Sequence, residues 1–402
     1  MFKSKSRIYL DYAAATPMAP DVESAMQPYY REDFGNAGAL HSFGQRANAA
    51  IDSVREIIAK ELNVEFNEVI FTGSATEANN HILRGATKSF LKSQISNTKS
   101  QIIISAIEHE SVFETANDLE KNGVEVIKIP VSKEGIIDIE KLKDALDENV
   151  AVVSIIFASN VIGTIQPIKK IAEIIKNFRE EKGSEYPLFH TDAVQALQFI
   201  KLDMGELGVD ALTLSGQKIY GPKGVGALAI KKQWLARVAP LVTGGTQEFG
   251  YRAGTQNTPA IVGFGKAVEI VTRDRGPHSA KAPRGKQEAE RVKELRDMLW
   301  DGIKKIVPNS ELNGSKEERL PNNLHVSFPG KDNQELLIKF DQAGIAVSIG
   351  SACSVRSRKA SRVILELGLG EERATNSIRF TLGRNTTEEE IKEALNRITS
   401  LF

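Results

Sequence analysis

The chain has 402 residues, of which 41% are hydrophobic, and this is enough for a large buried core divided between one big domain and a smaller one. Its 52 basic residues balance its 52 acidic residues, so no overall field favours nucleic acid or an anionic membrane, and we expect a small-molecule partner instead. A single cysteine excludes an intrachain disulfide and a multi-thiolate metal site, which indicates a reducing, cytoplasmic setting and no metal.

The first two thirds of the chain alternate short apolar runs with helical patterns. The basic residues 1–7 precede no apolar stretch, and no apolar run is long enough to span a bilayer, so we expect a soluble protein without a targeting segment. Seven apolar runs predict buried strands, at residues 68–72, 101–105, 124–129, 151–157, 187–190, 211–214 and 226–230. Patterns with apolar residues at every third or fourth position predict helices at residues 45–61, 77–90, 111–121 and 168–178. This alternation indicates an α/β fold with a mainly parallel sheet.

The pattern changes after about Thr255. A loop rich in Pro, Gly, Lys and Arg at residues 273–285 precedes a charged helix at 287–306. Further elements are predicted as a strand at 324–328, a helix at 334–343, a strand leading into 350–353 and a last helix at 388–401. We therefore divide the chain into a large domain, residues 16–255, and a small domain, residues 1–15 and 256–402.

Polar residues that end apolar runs are the first candidates for a site, because ligands of open α/β sheets bind beyond the carboxyl ends of the strands. At residues 71–77, Phe-Thr-Gly-Ser-Ala-Thr-Glu leads from a strand through a small-residue turn into a helix, whose free N–H groups suit a phosphate. The alternative is an ordinary Ser/Thr helix cap. Asp192, in His-Thr-Asp, ends another strand and could pair with a protonated heterocyclic nitrogen; the alternative is a turn aspartate.

Two nucleophiles stand in comparable positions. Lys218, in Leu-Ser-Gly-Gln-Lys just past a strand, would have a lowered pKa if partly removed from water and could form a Schiff base; the alternative is a solvated loop lysine. Cys353 lies in Gly-Ser-Ala-Cys-Ser, and the cations at 356, 358 and 359 favour its thiolate. The alternative for Cys353 is a small buried hydrophobe.

A histidine and an arginine complete the candidates. His109 follows the apolar residues 102–104 and could stack on or protonate a bound ring, whereas a satisfied core histidine is the alternative. Arg379, in Ser-Ile-Arg-Phe, could fork onto a substrate carboxylate, whereas a surface ion pair is the alternative.

Short motifs occur in a fixed order along nearly the whole chain. They are Ile-Tyr-Leu-Asp-Tyr at 8–12, Phe-Gly-Asn at 34–36, His-Ser-Phe-Gly at 41–44, Ala-Thr-Glu at 75–77, Glu-His at 108–109, and the segments 215–226, 252–255, 350–353 and 377–384. In this order they resemble the fold-type I pyridoxal 5'-phosphate (PLP) enzymes of the class V aminotransferase group, and among those the cysteine desulfurases. The resemblance implies a PLP-dependent transferase-like fold, in which a large domain holds a mainly parallel seven-stranded sheet flanked by helices, plus a smaller α+β C-terminal domain.

The resemblance also assigns roles at a PLP site. The cofactor-binding residues that it implies are Ala75, Thr76, His109, Asn160, Asp192, Gln195, Ser215, Gln217, Lys218 and Thr255. Lys218 would form the Schiff base, Asp192 would pair with the pyridinium nitrogen, and Gln195 would bond the ring hydroxyl. His109 would stack on the ring. Thr255 would reach the phosphate of a partner subunit, which requires a homodimer.

For the substrate, the resemblance implies L-cysteine. Asn160 and Arg379 would bind its carboxylate, and the catalytic residues would be Lys218, His109 and Cys353. Alanine would leave, and a persulfide would stay on Cys353. The sulfur would serve iron–sulfur cluster, thio-cofactor or tRNA biosynthesis, through an acceptor protein such as an iron–sulfur scaffold.

Three residues depart from the family pattern. Gln217 replaces a usual histidine and cannot carry charge, so we expect weaker cofactor retention. Val161 stands where an acid is frequent and Phe249 where an arginine is usual, so substrate choice or subunit contact can differ. The alternatives are a related PLP enzyme, such as a selenocysteine lyase or a lyase or aminotransferase on another amino acid, and a non-catalytic partner protein that keeps the fold.

Overall fold

The computed structural model describes residues 7–93, 100–273, 284–350 and 360–402. The strands are β1 (Ile8–Tyr9), β2 (Val69–Thr72), β3 (Gln101–Ser105), β4 (Glu125–Ile129), β5 (Val150–Ser154), β6 (Leu188–Asp192), β7 (Ala211–Ser215), β8 (Gly226–Ile230), β9 (Glu311–Leu312), β10 (Asn323–Ser327), β11 (Ile345–Ala346) and β12 (Ser377–Thr381). The helices up to residue 182 are α1 (Pro20–Met26), α2 (Pro28–Arg31), α3 (Ser42–Leu62), α4 (Ala75–Ser93), α5 (Glu110–Lys121), α6 (Ile139–Ala145) and α7 (Ile168–Lys182). The later ones are α8 (Met204–Leu207), α9 (Lys232–Leu235), α10 (Thr258–Arg273), α11 (Arg284–Ile306), α12 (Asn333–Gln342), α13 (Arg362–Glu366), α14 (Glu371–Thr375) and α15 (Glu388–Thr399).

A seven-stranded sheet forms the centre of the large domain. Its strand order is β2–β8–β7–β6–β5–β3–β4. Strand β8 alone runs in the direction opposite to the other six strands. The expectation of a mainly parallel seven-stranded sheet is confirmed. All five residues of β5 are buried, which is typical of a parallel strand covered by helices on both faces.

The two faces of this sheet carry separate apolar layers. In β3, Ile103 packs into a layer with α3, α7 and α10, whereas Ile102 packs on the opposite face against α4 and α5. Helix α3 shows how the sequence forms this layer, because its buried apolar residues recur at three- and four-residue spacing: Ile51, Val54, Ile58 and Leu62. The seven strands are therefore held between two helical layers.

Helix α10 belongs to the packing of the large sheet. Phe264 and Val268 lie in the same apolar layer as the residues of α3, and the helix also contacts α1. The sequence prediction placed residues 256–402 in the small domain. The division into 16–255 and 256–402 with 1–15 stays a prediction, and the packing of α10 favours a boundary after Arg273.

The small domain combines two minor sheets with helices. One sheet has the antiparallel order β12–β10–β9, and the other pairs β1 in parallel with β11, with Ile8 opposite Ile345. Its apolar core includes Phe328, Phe340 and Phe380. The strand expected to lead into residues 350–353 is present as β11 alone, and residues 351–353 lie outside the described ranges.

None of the helices within the described ranges has both the length and the apolar character that crossing a membrane requires.

Candidate active site

Two adjoining cavities lie beyond the carboxyl ends of the parallel strands. Their volumes are about 140 and 110 Å³, and they share Ala13, His109, Asn160 and Lys218 as lining residues. Asp192 ends β6 and lines one of them. Because parallel strands present their carboxyl ends at one edge of the sheet, side chains distant in sequence meet here.

Lys218 lies in a one-turn 3-10 helix, Gly216–Lys218, directly after β7. Its Nζ donates hydrogen bonds to the backbone oxygens of Ala13 (2.8 Å) and Ala14 (2.5 Å). Burial, assisted by the positive charge of Arg379, lowers the pKa of Lys218 to about 8, while the carboxylates of Asp11 and Asp192 act in the opposite direction. A larger fraction of this amine is therefore unprotonated near neutral pH than of an ordinary lysine.

Asp192 is fixed by two hydrogen bonds. Its Oδ2 accepts from Nδ2 of Asn79 (2.7 Å), and its Oδ1 accepts from the backbone N–H of Val194 (3.1 Å). Asn79 is fully buried in α4 and also donates to Oγ of Ser111 (2.8 Å). The carboxylate is thus held in one orientation toward the cavity that Lys218 lines.

His109 caps the N-terminus of α5. Its Nδ1 accepts from the backbone N–H of Ser111 (3.1 Å) and lies 2.8 Å from Oγ of Ser111. Burial lowers the pKa of His109. Because Nδ1 acts as an acceptor, the neutral ring carries its proton on Nε2.

The small-residue turn that leads into α4, which the sequence predicted as a phosphate site, lines the same cavity as Lys218. Ala75 and Thr76 begin the 19-residue helix α4, and Oγ of Ser74 accepts from the backbone N–H of Glu77 (3.1 Å) as a cap. The cavity is completed by residues from the strand ends and the loops after them: Ser215, Gln195 and Gln217. An anion at this end of the cavity would face the positive pole of α4.

Gln195 shares a hydrogen-bond acceptor with Lys218. Its Nε2 donates to the backbone oxygen of Ala13 (3.1 Å), which also accepts from Lys218. One peptide oxygen therefore joins two of the residues singled out from the sequence.

Arg379 reaches the cavity from β12 of the small domain. It is 2% exposed, and its Nη1 donates to the backbone oxygens of Asn160 (2.9 Å) and Gly350 (2.8 Å). Its Nη2 donates to Oδ1 of Asp11 (2.7 Å). Arg379, Asn160 and Lys218 line one cavity. Asp11 belongs to a motif noted in the sequence, but no site role was predicted for it.

Thr255 is the one predicted cofactor residue that lies apart from the others. Its side chain is exposed and lines a different pocket of about 180 Å³, next to Gly73 and Arg252. Within this single chain, Thr255 therefore does not meet Lys218.

Glu108 is a buried carboxyl group that sequence reasoning did not single out. Its Oε1 accepts from the backbone N–H of Ile156 (2.6 Å), and it is 1% exposed. Burial raises the pKa of Glu108 well above its usual value, and the nearby charge of Asp192 adds to this. The position before His109 was visible in the sequence, but the burial that makes this group unusual was not.

Comparison with known proteins agrees with this geometry. The family described as aminotransferase class-V matches residues 8–394. The chain belongs to this family. A protein named cysteine desulfurase IscS from Dictyoglomus turgidum is 41% identical over 393 residues, which cover 98% of this chain and 93% of that relative.

Solved structures of similar proteins cover almost the whole chain. One titled NifS-like protein is 34% identical and superposes with a TM-score of 0.87, covering 98% of this chain and 99% of its own. Another, titled SspA in complex with cysteine, is 32% identical with a TM-score of 0.76, covering 93% of this chain and 98% of its own.

This class-V aminotransferase uses PLP, and the residues present fit that group. The cavity offers an amine with a lowered pKa in Lys218, a carboxylate in Asp192 and a neutral imidazole in His109. The start of α4 offers N–H groups to a phosphate. These are the contacts that the aldehyde, the ring nitrogen, the ring face and the phosphate of PLP require.

The departures from the family pattern fall in three different places. Gln217 lines the cavity, and its backbone oxygen accepts from the N–H and the Oγ1 of Thr16 (3.1 and 3.0 Å). Val161 is 3% exposed and close to Gly350, where an added Cβ would come within 2.9 Å of Cγ1 of Val161. Phe249 is 48% exposed in the 3-10 turn Gln247–Gly250, and its ring packs against that of Phe66.

Cys353 falls outside the described residues. The flanking residues Gly350 and Ser361 both line the cavity that contains Lys218 and Arg379.

Proposed function

We propose that the protein is a PLP-dependent cysteine desulfurase, which converts L-cysteine to L-alanine and leaves the sulfur on Cys353 as a persulfide. The observation that carries the proposal is the pair of adjoining cavities, in which Lys218 lines both, Asp192 lines one and Arg379 lines the other. Cysteine desulfurases among the relatives, and a relative solved with cysteine, support the substrate.

The cofactor side of the cavity is built to hold PLP and move a proton. Lys218 would hold PLP, and the group would supply an electron-withdrawing ring for the α-carbon of the substrate. Asp192 would pair with the ring nitrogen, held there by Asn79 and the N–H of Val194. The amine of Lys218, with its pKa near 8, can release and take up a proton at the substrate carbon near neutral pH.

The remaining predicted residues divide between ring, phosphate and substrate. His109 would stack on the ring as a neutral imidazole, because burial disfavours its charged form. The set Ala75, Thr76, Ser215 and Gln217 would hold the phosphate, and Gln195 would contact the ring hydroxyl. Arg379 would bind the carboxylate of L-cysteine, with Asn160 beside it.

Sulfur transfer takes place between L-cysteine and Cys353 of this chain. The thiolate of Cys353 attacks the substrate sulfur, so an S–S bond forms while the C–S bond of L-cysteine breaks. The electron pair of that bond stays with the carbon skeleton, which takes up a proton and leaves as L-alanine. The cations at positions 356, 358 and 359 favour the thiolate form of the nucleophile.

A homodimer is part of the proposal. Thr255 lies on the surface rather than in the cavity of its own chain, as a residue that reaches a partner subunit's phosphate would. Large exposed hydrophobic side chains accompany it on the same chain: Phe34, Leu40, Phe43 and Phe249. We further propose a cytoplasmic location, supported by the single cysteine, and an iron–sulfur scaffold as sulfur acceptor.

A related PLP enzyme acting on another substrate is the second candidate. Val161 is buried at the cavity next to Asn160 and Gly350, where the family frequently has an acid. Turnover of selenocysteine or of a non-sulfur amino acid well above that of L-cysteine would favour this candidate.

Because the chain has a single cysteine, one substitution tests the proposed function. We expect purified PLP-loaded protein to release equimolar L-alanine and sulfide from L-cysteine in the presence of a reductant. The Cys353→Ser variant should lose this activity by about 10³-fold, because no other thiol can take the sulfur. Its matched control is Ser354→Ala, which should keep turnover within about threefold.

A labelling measurement gives the same test without kinetics. After one exposure to L-cysteine, a mass increase of one sulfur atom should appear on the wild-type chain and be absent from Cys353→Ser. Unchanged alanine production by Cys353→Ser would overturn the proposed function.

A further inference from the structure

The arginine that would bind the substrate carboxylate already holds a carboxylate of its own chain. Nη2 of Arg379 donates to Oδ1 of Asp11 at 2.7 Å, and the two side chains are 2% and 20% exposed. Arg379 lines a cavity together with Lys218 and Asn160, so this ion pair reaches the cavity through its arginine.

Arg379 keeps part of its hydrogen-bonding capacity for a ligand. A guanidinium has five N–H bonds. Both hydrogens of Nη1 are used by the backbone oxygens of Asn160 and Gly350, and one hydrogen of Nη2 is used by Asp11. Nε has no partner among the described residues. One hydrogen of Nη2 and the hydrogen of Nε therefore remain for a ligand carboxylate, which would share the charge of the guanidinium with Asp11.

The orientation of Arg379 does not depend on Asp11. The two peptide oxygens that accept from Nη1 already fix the plane of the guanidinium. What Asp11 adds is negative charge, which a buried arginine needs because an uncompensated buried cation is costly. In the ligand-free protein, Asp11 supplies this charge.

We propose that Asp11 is the internal counter-ion of Arg379 and that its negative charge opposes that of the substrate carboxylate, so that it sets how tightly the site holds a carboxylate ligand. The inference rests on the proposed function, in which that ligand is L-cysteine or L-alanine. Two carboxylates on one guanidinium repel each other, so Asp11 weakens binding and favours release of the product.

The same segment also connects this ion pair with Lys218. The backbone oxygens of Ala13 and Ala14, two and three residues after Asp11, accept from Nζ of Lys218. The negative charge of Asp11 raises the pKa of Lys218. Removing that charge should therefore lower the pKa of Lys218 further, which a merely structural defect would not do.

The test compares L-alanine with L-alaninamide, which lacks the carboxylate. In the PLP-loaded protein, Asp11→Asn should bind L-alanine about tenfold more tightly and L-alaninamide unchanged. Asparagine keeps the shape and an oxygen acceptor for Nη2. Binding is followed by the ligand-dependent change in PLP absorbance and, independently, by protection against thermal unfolding.

A charge control separates local from general effects. Asp33 is paired with Arg46 on the surface, and Asp33→Asn should leave both ligand affinities unchanged. The same or weaker L-alanine binding in Asp11→Asn, or an equal change for both ligands, would overturn the inference. Absence of cysteine turnover in the wild type would overturn the desulfurase assignment alone, because the alanine and alaninamide comparison does not require turnover.

Discussion

The two sides of the active-site cavity are built in different ways. On the cofactor side, Asp192 and His109 come from the ends of elements in one α/β layer, and Asn79 and Ser111 join them through side-chain hydrogen bonds. On the carboxylate side, Arg379 comes from the small domain, and its contacts are backbone oxygens and one ion pair.

From this difference we expect the cofactor side to determine the rate of the chemical step and the carboxylate side to determine the affinity for the substrate. Side chains that hold one another within a single layer keep a fixed geometry, which chemistry at the cofactor requires. The carboxylate side joins segments from both ends of the chain, so its contribution is to hold the substrate against the cofactor. Changes on the first side should mainly alter kcat, and changes on the second should mainly alter KM.

The largest effect is expected from Lys218→Ala. Turnover of L-cysteine should fall by about 10³-fold or more, because both the attachment of PLP and the proton transfer at the substrate carbon are lost. L-Alanine release and the PLP retained after dialysis measure the two losses separately. Lys223→Ala, an exposed lysine of the same loop, is the control. Activity of Lys218→Ala within tenfold of wild type would contradict the assignment.

On the carboxylate side, Arg379→Lys is expected to raise KM for L-cysteine by about 30-fold with kcat nearly unchanged. A lysine ammonium cannot reproduce the fork, in which Nη1 reaches Asn160 and Gly350 while Nη2 reaches Asp11. Steady-state kinetics over a wide range of L-cysteine concentrations give both constants. A fall in kcat with KM unchanged would show that the two sides of the cavity do not divide their roles in this way.

On the cofactor side, Asn79→Ala is expected to lower kcat about tenfold and leave KM within twofold, because Asp192 loses one of its two hydrogen bonds. The neighbouring Asn80, a surface residue bonded to the backbone of Thr76, provides the control Asn80→Ala, which should change neither constant. A large change of KM in Asn79→Ala would contradict the expectation that the cofactor side determines kcat and not KM.

The sequence predicted the large sheet to within a few residues because its strands are short apolar runs between amphipathic helices. The strand predicted at 226–230 coincides with β8. By contrast, β1 and β9 have two residues each, too few to show a period, and their pairing depends on distant segments. Helix α10 was missed because the pattern after Thr255 was interpreted as the start of another domain.

The residues of the candidate site also differ in whether the sequence alone could predict their positions. Lys218 and Asp192 stand directly after or at the end of an apolar run, so their positions could be predicted from the chain alone. Asn79 is one of several polar residues on α4, and only tertiary structure brings it to Asp192. Asp11 meets Arg379 across 368 positions of sequence, a contact that no local pattern announces.

The pairing of β1 with β11 sets the order in which the molecule can be completed. The residues of β1 are synthesised long before their partners in β11, because Ile345 lies 337 positions after Ile8. Leu10 likewise waits for Ala346 and Thr381, with which it forms backbone hydrogen bonds. Ala13 and Ala14, the acceptors of Lys218, follow on the same segment, which gains its contacts with β11 and β12 only after those strands have been synthesised. We therefore expect a nascent chain that has completed the seven-stranded sheet, but not yet β12, to be catalytically incompetent, because it still lacks Arg379.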